Sequence, residues 1–577
     1  MSAAAPAAAN AHDQTLPPGW VRTTLGEVSL INPGVDVSHL PATALVSFIP
    51  MAAVGAGTGR IDTANIRPLS EMKKGFTAFR EGDVLFAKIT PCMENGKFAV
   101  AHSLESGIGF GSTEFHVLRP EQGVNPYFIL YYLLQRSFRQ AARSAMGGSA
   151  GQLRVPASFL ASAEFPLPPA EEQRRIVAAI EGYLTRLDAV VETLRQDRIK
   201  LRNARAALLR DAVEGRLTER WRATHPVSED GEALLKRILA ERRARWEAEQ
   251  LEKMRARGQV PQDERWKQAY REPAGPDTST LPALPPGWCW ATVEQLIARS
   301  EYGTSIKCDY GAGGEPIVRI PNIIRGILDL KDLKYSLEPI NLSTEEALQP
   351  GDVLLCRTNG SINLLGKSAV VRTDLKQKYG FASYLLRFRF LEKNIFPSWF
   401  HLFVSSEHGR SFIKDKAISS AGQHNISLSI IHSMPLPLPP LEEQRQIVAE
   451  VERRLSIIQQ AEEAIERSLK RAEHLRQSIL KRAFSGQLVP QDPSDEPASQ
   501  LLERIRAERA RREQQTQTTR NQRGARSPSR SQAQPIQSGQ PTVSSERPAP
   551  IDPQQLARPS LWTAESNADS NAHQSEA

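Results

Sequence analysis

The sequence predicts a mixed α/β protein in which two similar globular modules are separated by two long helices that form an antiparallel coiled coil. Three observations predict this fold class. The chain has 577 residues, which is longer than one ordinary domain of roughly 150 residues. Short motifs recur in the same order in its two halves. Each half also ends in apolar residues at heptad spacing, a pattern that is typical of coiled-coil helices.

The repeat is carried by five pairs of motifs. They are LPPGW at Leu16 and Leu284, GDVL at Gly82 and Gly351, GK-x-AV at Gly96 and Gly366, SAGQ at Ser149 and Ser420, and PLPP followed by EEQR at Pro166 and Pro437. The sequence offset is nearly the same in all five pairs and grows only slightly along the chain. Collinear matches with so little drift indicate a tandem duplication, with small insertions in loops.

The two modules are predicted at residues 16–167 and 284–438. Short apolar runs bounded by Gly, Pro and Asn predict strands joined by turns. In the first module the predicted strands are 45–49, 83–89, 98–102 and 115–118, followed by a helix at 127–146; in the second they are 352–357, 368–372 and 384–390, with a helix from Pro397. Outside the shared motifs the two modules have little sequence in common.

The long helices are predicted within residues 168–218 and 439–490, starting after PLPP and stopping near Gly215 and Gly486. The predicted seam of the first comprises Ile176, Ile180, Tyr183, Leu187, Val190, Leu194, Leu201 and Leu208, and that of the second Ile447, Val451, Ile458, Ile465, Leu475 and Ile479. The same register places Arg454 and Ser468 in the second seam, where polar residues often set register. Arg454 is expected to lie where the coiled coil opens toward solvent or a partner, paired with a carboxylate there. Each helix is expected to cover the other, although packing of each on its own module is an alternative.

Three further segments complete the predicted organisation. Residues 219–283 link the units and carry a basic helix at 232–257, which reappears in a short helical appendage at 491–513 (LLKRILAERRAR against LLERIRAERARR). Residues 1–15 are expected to be disordered. So are residues 514–577, because only six of these 64 residues are large and apolar, too few to offset the entropy of ordering.

This combination resembles the specificity subunits of type I restriction-modification systems, from about Leu16 to Leu488. The resemblance implies that each module is a target recognition domain for one half of a split site in double-stranded DNA. It implies that the helices set the spacing and dock two methylation subunits, with motor and endonuclease subunits in the same complex. S-adenosylmethionine, ATP and magnesium are then expected on those partners, and no cofactor in this chain. The basic helix and the tail depart from the family pattern.

DNA-reading side chains are expected in polar segments that interrupt the strands, since Arg, Asn, Gln, Lys and His can reach base edges. The candidates in the first module are Lys88, Asn95, Lys97, Arg143, Gln152 and Arg154, and those in the second are Arg357, Asn359, Asn363, Lys367, Gln423, His424 and Asn425. Gln152 and Gln423 are equivalent, so they are expected to do something common to both modules. Arg357 and Asn359 are better placed for reading sequence.

No catalytic or metal-binding residue is assigned. The glycines around Lys367 have five residues between them where a phosphate loop needs four, and no carboxylate precedes the glycine run at 55–59. The four cysteines form no C-x-x-C pair. Two alternatives remain open at this point, namely a diverged stand-alone DNA methyltransferase or nuclease, and a purely structural coiled-coil adaptor.

Composition bounds the remaining classes. Hydrophobic residues make up 40% and charged residues 24%, which excludes collagen and a wholly disordered chain. The longest strongly apolar run, at 127–134, is too short to cross a bilayer, so no membrane partner is expected. The first residues lack the pattern of a signal peptide, and a cytoplasmic location is expected. The net charge of +8 favours a polyanionic partner.

Overall fold

The computed structural model describes residues 16–62, 65–72, 74–148, 151–259, 261–372 and 375–524. The described residues up to Arg506 belong to one compact unit, and those from Ala507 to Gly524 belong to a second. The predicted disorder at 1–15 and at 525–577 lies outside the described residues. The prediction for 514–524 is wrong, because the appended helix runs from Ala498 to Gly524. Gln and Arg, which make up six of those eleven residues, are good helix formers and extend a helix that has already begun.

The first module contains two four-stranded sheets and a two-stranded one. In order across each sheet, the strands are Ser29–Ile31, Phe115–Pro120, Val84–Ala87 and Phe98–Val100; Asn65–Pro68, Leu45–Ile49, Ile108–Gly111 and Thr77–Arg80; and Val21–Thr24 with Glu164–Leu167. Its helices are Leu25–Val28, Pro126–Leu133, Arg136–Ser144 and Ala157–Ser162, with 3₁₀ turns at Met51–Ala53, Leu69–Met72 and Glu105–Gly107. The single helix predicted at 127–146 is therefore two helices.

The second module repeats this plan. Its four-stranded sheets are Ile297–Tyr302, Leu385–Phe390, Val353–Cys356 and Ser368–Val370; and Cys308–Asp309, Lys334–Ser336, Pro316–Val318 and Gly380–Phe381. Smaller sheets join Cys289–Thr292 with Pro435–Leu438, Ile323–Ile324 with Ile327–Leu328, and Thr358–Asn359 with Gln423–Asn425 and Ile418–Ser420. Its helices are Val293–Leu296, Phe396–Ser405, Glu407–Lys416 and Leu428–His432, with 3₁₀ turns at Ile320–Asn322 and Ile362–Leu364. In each module one pair of strands in the second sheet is parallel.

A buried ion pair explains the GDVL motif. The carboxylate of Asp83 accepts hydrogen bonds from Arg119 Nε at 2.8 Å and Nη2 at 2.7 Å. Asp352 accepts the same two bonds from Arg389, at 2.7 and 2.8 Å. All four side chains are buried. Bidentate pairing of this kind offsets the cost of burying both charges, so the motif fixes the strand Val84–Ala87 or its equivalent to the neighbouring strand.

The two long helices, Ala170–Val213 and Leu441–Phe484, pack against each other along their lengths. Asp188 pairs with Arg476, and Arg198 pairs with Glu466 at 3.0 Å. A forward step along the first helix thus corresponds to an equal backward step along the second, which makes the pair antiparallel. Together with the two modules, this confirms the predicted fold class. Each helix ends two residues before a glycine of positive φ, Gly215 or Gly486.

The residues that form the interface between the two helices differ from the predicted seam by a single position in every second layer. Tyr183, Val190 and Leu475 are about half exposed, whereas the next residue along each helix, such as Leu184 or Val191, turns inward. Positions 183 and 184 lie about 100° apart on the helix, on opposite sides of the shared Ile180–Leu187 line. On the first helix positions 183 and 184, like 190 and 191, are both apolar, so the sequence alone did not show which side faces the partner. On the second helix Leu475 is followed by Arg476, whose largely buried side chain pairs with Asp188.

The other predicted seam residues are buried or half-buried: Ile176, Ile180, Leu187, Leu194, Leu201, Leu208, Ile447, Val451, Ile458, Ile465 and Ile479. Arg454 and Ser468 are exposed, and Leu455 and Leu469 take their places. Both polar residues therefore lie beside the seam and not in it, for the same geometric reason, and Arg454 faces solvent as expected. Arg454 donates to Glu450 on its own helix at 2.5 Å.

Each module is closed by both long helices. The core of the first contains Ile176 from the start of the first helix and Phe484 from the end of the second. The core of the second contains Leu208 from the end of the first helix and Ile447 from the start of the second. Packing on the chain's own module and packing on the other helix therefore both occur. Among the described residues, none of the helices is both long and apolar enough to span a bilayer.

Candidate nucleic-acid interface

An exposed hairpin gathers several of the predicted DNA-reading residues of the second module. Strands Ile418–Ser420 and Gln423–Asn425 are joined by Ala421 and Gly422, whose φ angles are +48° and +74°. Positive φ at both central residues is the requirement of a tight two-residue hairpin turn. The hairpin pairs with Thr358–Asn359. The strand pairing thus brings Asn359 beside Gln423, His424 and Asn425, although they lie far from it in the sequence.

Side chains within this hairpin hold its shape. Thr358 Oγ1 donates to Asn425 Oδ1 at 2.5 Å, and Asn359 Oδ1 accepts from the backbone N–H of Ser361 at 2.8 Å. His424 Nδ1 lies 2.6 Å from Ser419 Oγ. Gln423, next to the turn, is exposed. Asn359 therefore holds the backbone at Ser361, and Asn425 joins the hairpin to the side chain of Thr358, while Gln423 is exposed where a ligand can reach it.

Arg357 is positioned beside the hairpin by a tyrosine that the sequence prediction missed. Its guanidinium carbon lies 4.8 Å from the ring centroid of Tyr302, and its Nη1 donates to Ser383 O at 3.3 Å. Its Nε is buried and has no hydrogen-bond partner among the described residues. Tyr302 is about half exposed. Stacking of a planar guanidinium on an aromatic ring limits its freedom, which suits an arginine that presents its outer edge to one base.

A second group of aromatic and basic residues lies further along the same chain segment. The ring of Tyr310 is 5.4 Å from the Arg319 guanidinium carbon and 5.0 Å from Lys334 Nζ. Tyr310 is more than half exposed, and Tyr384 is half exposed. Exposed aromatic side chains interleaved with cations are typical of nucleic-acid-binding surfaces. These tyrosines lie at the ends of short strands, and no pattern in the sequence marked them as candidates.

The first module repeats the arrangement around the hairpin. The backbone of Arg154 forms isolated antiparallel β-bridges with Ile89 and with Gly147. The backbone N–H of Thr90 donates to Leu153 O at 3.1 Å. Counted from the flanking repeated motifs, Ile89 and Arg154 are equivalent to Thr358 and Asn425 of the second module. Gln152, equivalent to Gln423, is also exposed. Both modules therefore present the same exposed glutamine beside the same strand pairing.

Three candidates of the first module face carboxylates or lie next to them. Arg154 donates to both oxygens of Glu114, with Nη2–Oε1 at 2.8 Å and Nε–Oε2 at 3.0 Å. This hydrogen bonding lowers the pKa of the Glu114 carboxyl, against the effect of its partial burial. Lys88, equivalent to Arg357, adds a smaller lowering effect on the pKa of the same carboxyl. Arg143 pairs with Glu94 at 3.0 Å and stays largely exposed.

The remaining candidates divide into exposed and internal side chains. Lys97 remains a candidate: its side chain is half-buried, and its Nζ donates at 3.1 Å to Met51 O in the 3₁₀ turn that follows the strand Leu45–Ile49. Its counterpart Lys367 is half-buried, whereas Asn95 and Asn363 are exposed. Among the described residues there is no cluster of three or more His, Cys, Asp or Glu side chains that could hold a metal ion.

Comparison with known proteins gives the family. The family described as "Type I restriction modification DNA specificity domain" matches residues 17–200 and 297–467. The chain belongs to this family. Each matched stretch covers most of a module and much of the long helix that follows it, so the specificity-domain unit occurs twice. The appended helices at 231–256 and 498–524 lie outside both matched stretches.

Relatives within the specificity family match most of the chain. The specificity subunit of the type I restriction enzyme EcoEI of Escherichia coli is 28% identical over 524 residues, covering 82% of this chain and 83% of that protein. The EcoKI specificity subunit of Escherichia coli strain K12 is 26% identical over 508 residues, covering 86% and 96%. A chain of a solved type I restriction-modification system shares the fold with a TM-score of 0.54 at 22% identity, covering 82% of this chain and 99% of that one.

Proposed function

We propose that this chain is the DNA-recognition and scaffold subunit of a type I restriction-modification complex, and that it is not itself a catalyst. The proposal rests on one observation. The two modules, at opposite ends of one helix pair, present the same hairpin arrangement. Each module would read one half of a bipartite target in double-stranded DNA. Arg357 and Gln423 in the second module, and Lys88 and Gln152 in the first, are the leading contacts.

The helix pair is suited to set the distance between the two DNA-reading modules. Leu187 is the last residue of the first long helix that packs on the first module's core, and Leu208 is the first that packs on the second module's core. At ~1.5 Å per residue the stretch between them spans about 32 Å, or about nine base pairs at ~3.4 Å each. A stiff coiled coil fixes both the separation and the rotation of two readers, which a flexible linker does not.

The catalytic parts of the complex would come from partners. We assign DNA methylation to two methylation subunits that dock on the helices, and cleavage to motor and endonuclease subunits. S-adenosylmethionine, ATP and magnesium would bind to those subunits. The approximate two-fold relationship between the halves of the chain supports a stoichiometry of two, because it offers one surface twice.

The test is an exchange of residues 16–167 for the equivalent module of a related subunit, followed by mapping of methylated adenines. We expect one half of the methylated motif to change and the other half, with the gap, to persist. Exchange of residues 284–438 is the matched control and should change the opposite half. A change of both halves by either exchange would overturn the proposal. Stoichiometric binding of S-adenosylmethionine to the isolated chain would instead favour a methyltransferase.

A further inference from the structure

The exposed hairpin of the second module carries one large aliphatic side chain. Ile418, at the start of its first strand, is 66% exposed. The five residues that follow are serine, alanine, glycine and glutamine, and all of them are exposed. Ile418 lies outside the buried cores of the module. A single exposed isoleucine is ordinary on a protein surface, so only its position on the hairpin can indicate a role.

The strand register places Ile418 on the face of the hairpin that also carries Gln423. Ile418 lies opposite Asn425, and Ser420 lies opposite Gln423. Side chains that lie opposite each other, or two positions apart on one strand, project from the same face of a sheet. These four side chains therefore share one face. Because Gln423 is a leading contact in the proposed function, Ile418 projects toward the same ligand.

The first module has the same backbone arrangement and no side chain at this position. Counted from the adjacent SAGQ motif, Gly147 is equivalent to Ile418, and Arg154 to Asn425. Gly147 forms a β-bridge with Arg154, as Ile418 pairs with Asn425. A Cβ added at Gly147 would meet no heavy atom of the described residues within 4 Å. The position faces open space, so the residue found there is not determined by packing within the module.

The two modules thus share the exposed glutamine and differ at the position that shares its face. Residues common to both modules serve what the modules have in common, whereas a difference on the same backbone can distinguish two half-sites. The replacement of glycine by isoleucine adds an aliphatic surface and no hydrogen-bonding group. Whatever Ile418 recognises must therefore be apolar.

The major groove of DNA offers one such feature. The groove admits a two-stranded β-ribbon, and the C5 methyl group of thymine is the apolar group that a base pair displays there. Phosphate is excluded as the ligand of Ile418 because an aliphatic side chain has no charge or donor for it. The surroundings also favour DNA over an apolar protein surface. The helix end that leads into the hairpin exposes Lys414 and Lys416 against Asp415, and lysines there favour nearby phosphates.

We infer that Ile418 is a specificity-determining residue that contacts the C5 methyl group of a thymine in the second half-site, beside the base that Gln423 contacts. The inference rests on the proposed function, because it names one chemical group that the second module reads. It requires at least one A·T pair in that half-site. The first module, with Gly147 at the equivalent position, lacks this contact.

The experiment replaces thymine by uracil, which lacks only the methyl group. Mapped methylated adenines give the target, and each thymine of the second half-site is replaced singly on either strand. Competition binding uses the full-length chain assembled with its methylation subunits, at fixed salt. We expect one replacement to weaken binding by the wild type about fourfold, which corresponds to burial of one methyl group at ~0.8 kcal/mol. Ile418→Ala should bind the thymine and uracil targets equally, and Ile418→Val should still distinguish them.

The matched control is Ile327→Ala, which removes a half-exposed isoleucine from a different hairpin of the same module. It should keep the wild-type preference for thymine. Ile418 is exposed, so circular dichroism of Ile418→Ala should match that of the wild type. Equal binding of every uracil target by the wild type would overturn the inference, as would a preference for thymine that Ile418→Ala retains. A second half-site made only of G·C pairs would also overturn it. A wild-type complex with no sequence-selective DNA binding would overturn the proposed function itself.

Discussion

The indole N–H of Trp20 donates a hydrogen bond to the buried carboxylate of Glu172 across 3.0 Å. The two residues are distant in the sequence, and Trp288 makes the same bond to Glu443 at 2.8 Å. Each bond joins the entrance of a module, in LPPGW, to the first turn of the long helix that leaves it, in EEQR. These motifs are nearly identical in the two copies because they build the joint between module and helix, and the joint does not depend on the DNA sequence read.

The two joints are predicted to differ in their tolerance of a neutral side chain. Glu443 also accepts from Thr218 at 2.6 Å and from the largely buried Arg222 at 2.9 Å, so Glu443→Gln would leave a buried cation without its counter-ion, at ~3 kcal/mol. Glu172 has no such arginine bond among the described contacts, and burial raises the pKa of its carboxyl. Glu172→Gln should therefore cost only ~1 kcal/mol. Urea unfolding of both variants checks the order, and equal costs would contradict it.

The corrected seam makes a prediction for adjacent residues on the second long helix. Leu455 packs on the core of the second module, whereas Arg454 points outward. Leu455→Ala should lower the free energy of unfolding by ~2 kcal/mol, and Arg454→Leu should change it by less than ~0.5 kcal/mol. Arg454→Leu should also raise the pKa of the Glu450 carboxyl, which Arg453 and Arg454 together lower to about 2. If Arg454→Leu were the more destabilising of the two substitutions, Arg454 would belong to the seam as the heptad register predicted.

The stacked arginine should discriminate one base pair in one half-site. Arg357→Lys keeps the charge and loses the planar donor pair, so selectivity at one position of the second half-site should fall by ~1–3 kcal/mol. Tyr302→Ala should give a smaller loss at the same position. Lys88→Ala is the matched change in the first module and should affect only the first half-site. Competition binding of single-base variants of the target, at fixed salt, makes the measurement. A uniform loss across all sequences would show that Arg357 binds phosphate.

Lengthening the helix pair should lengthen the gap between half-sites. Because the helices are antiparallel, a heptad inserted after Asp197 needs another heptad after the facing Arg467 to keep the seam. The insertion adds about 10.5 Å at ~1.5 Å per residue, close to three base pairs at ~3.4 Å. Methylated motifs should show the same half-sites with a gap about three base pairs longer. An unchanged gap in an active complex would show that the helices do not set the spacing.

His401 predicts loss of stability in mild acid. Its Nδ1 lies 2.9 Å from Ser368 Oγ, and its ring packs against Gly326. Burial lowers the pKa of the ring to about 4. The unfolded chain, with an ordinary histidine pKa near ~6.5, then binds more protons than the folded chain between pH ~6.5 and ~4. Stability contributed by the neutral ring is therefore present above pH ~6.5 and lost as the pH falls toward 4. His401→Gln should weaken the pH dependence of the unfolding midpoint over that window. An unchanged pH dependence would contradict the lowered pKa of His401.

Local patterns in the sequence determined the fold class and the duplication. Heptad spacing, the prolines of PLPP and the stops at Gly215 and Gly486 depend on neighbours within a few residues, so they could be read without a structure. The strand at Leu45–Ile49 lies where its apolar run predicted it. Alternation and turn residues set such elements locally, and the repeat was visible because two copies of one pattern stand in one chain.

Tertiary structure decided which side of each pattern faces a partner. The sequence could not choose between Tyr183 and Leu184, since both are apolar and only the position of the second helix separates them. It could not show that Lys97 turns inward to Met51, or that Tyr302 lies under the distant Arg357. Nor could it show that the appended helix after each unit packs on the module of the other unit. These contacts join distant segments, and their energies depend on burial and geometry that exist only in the folded chain.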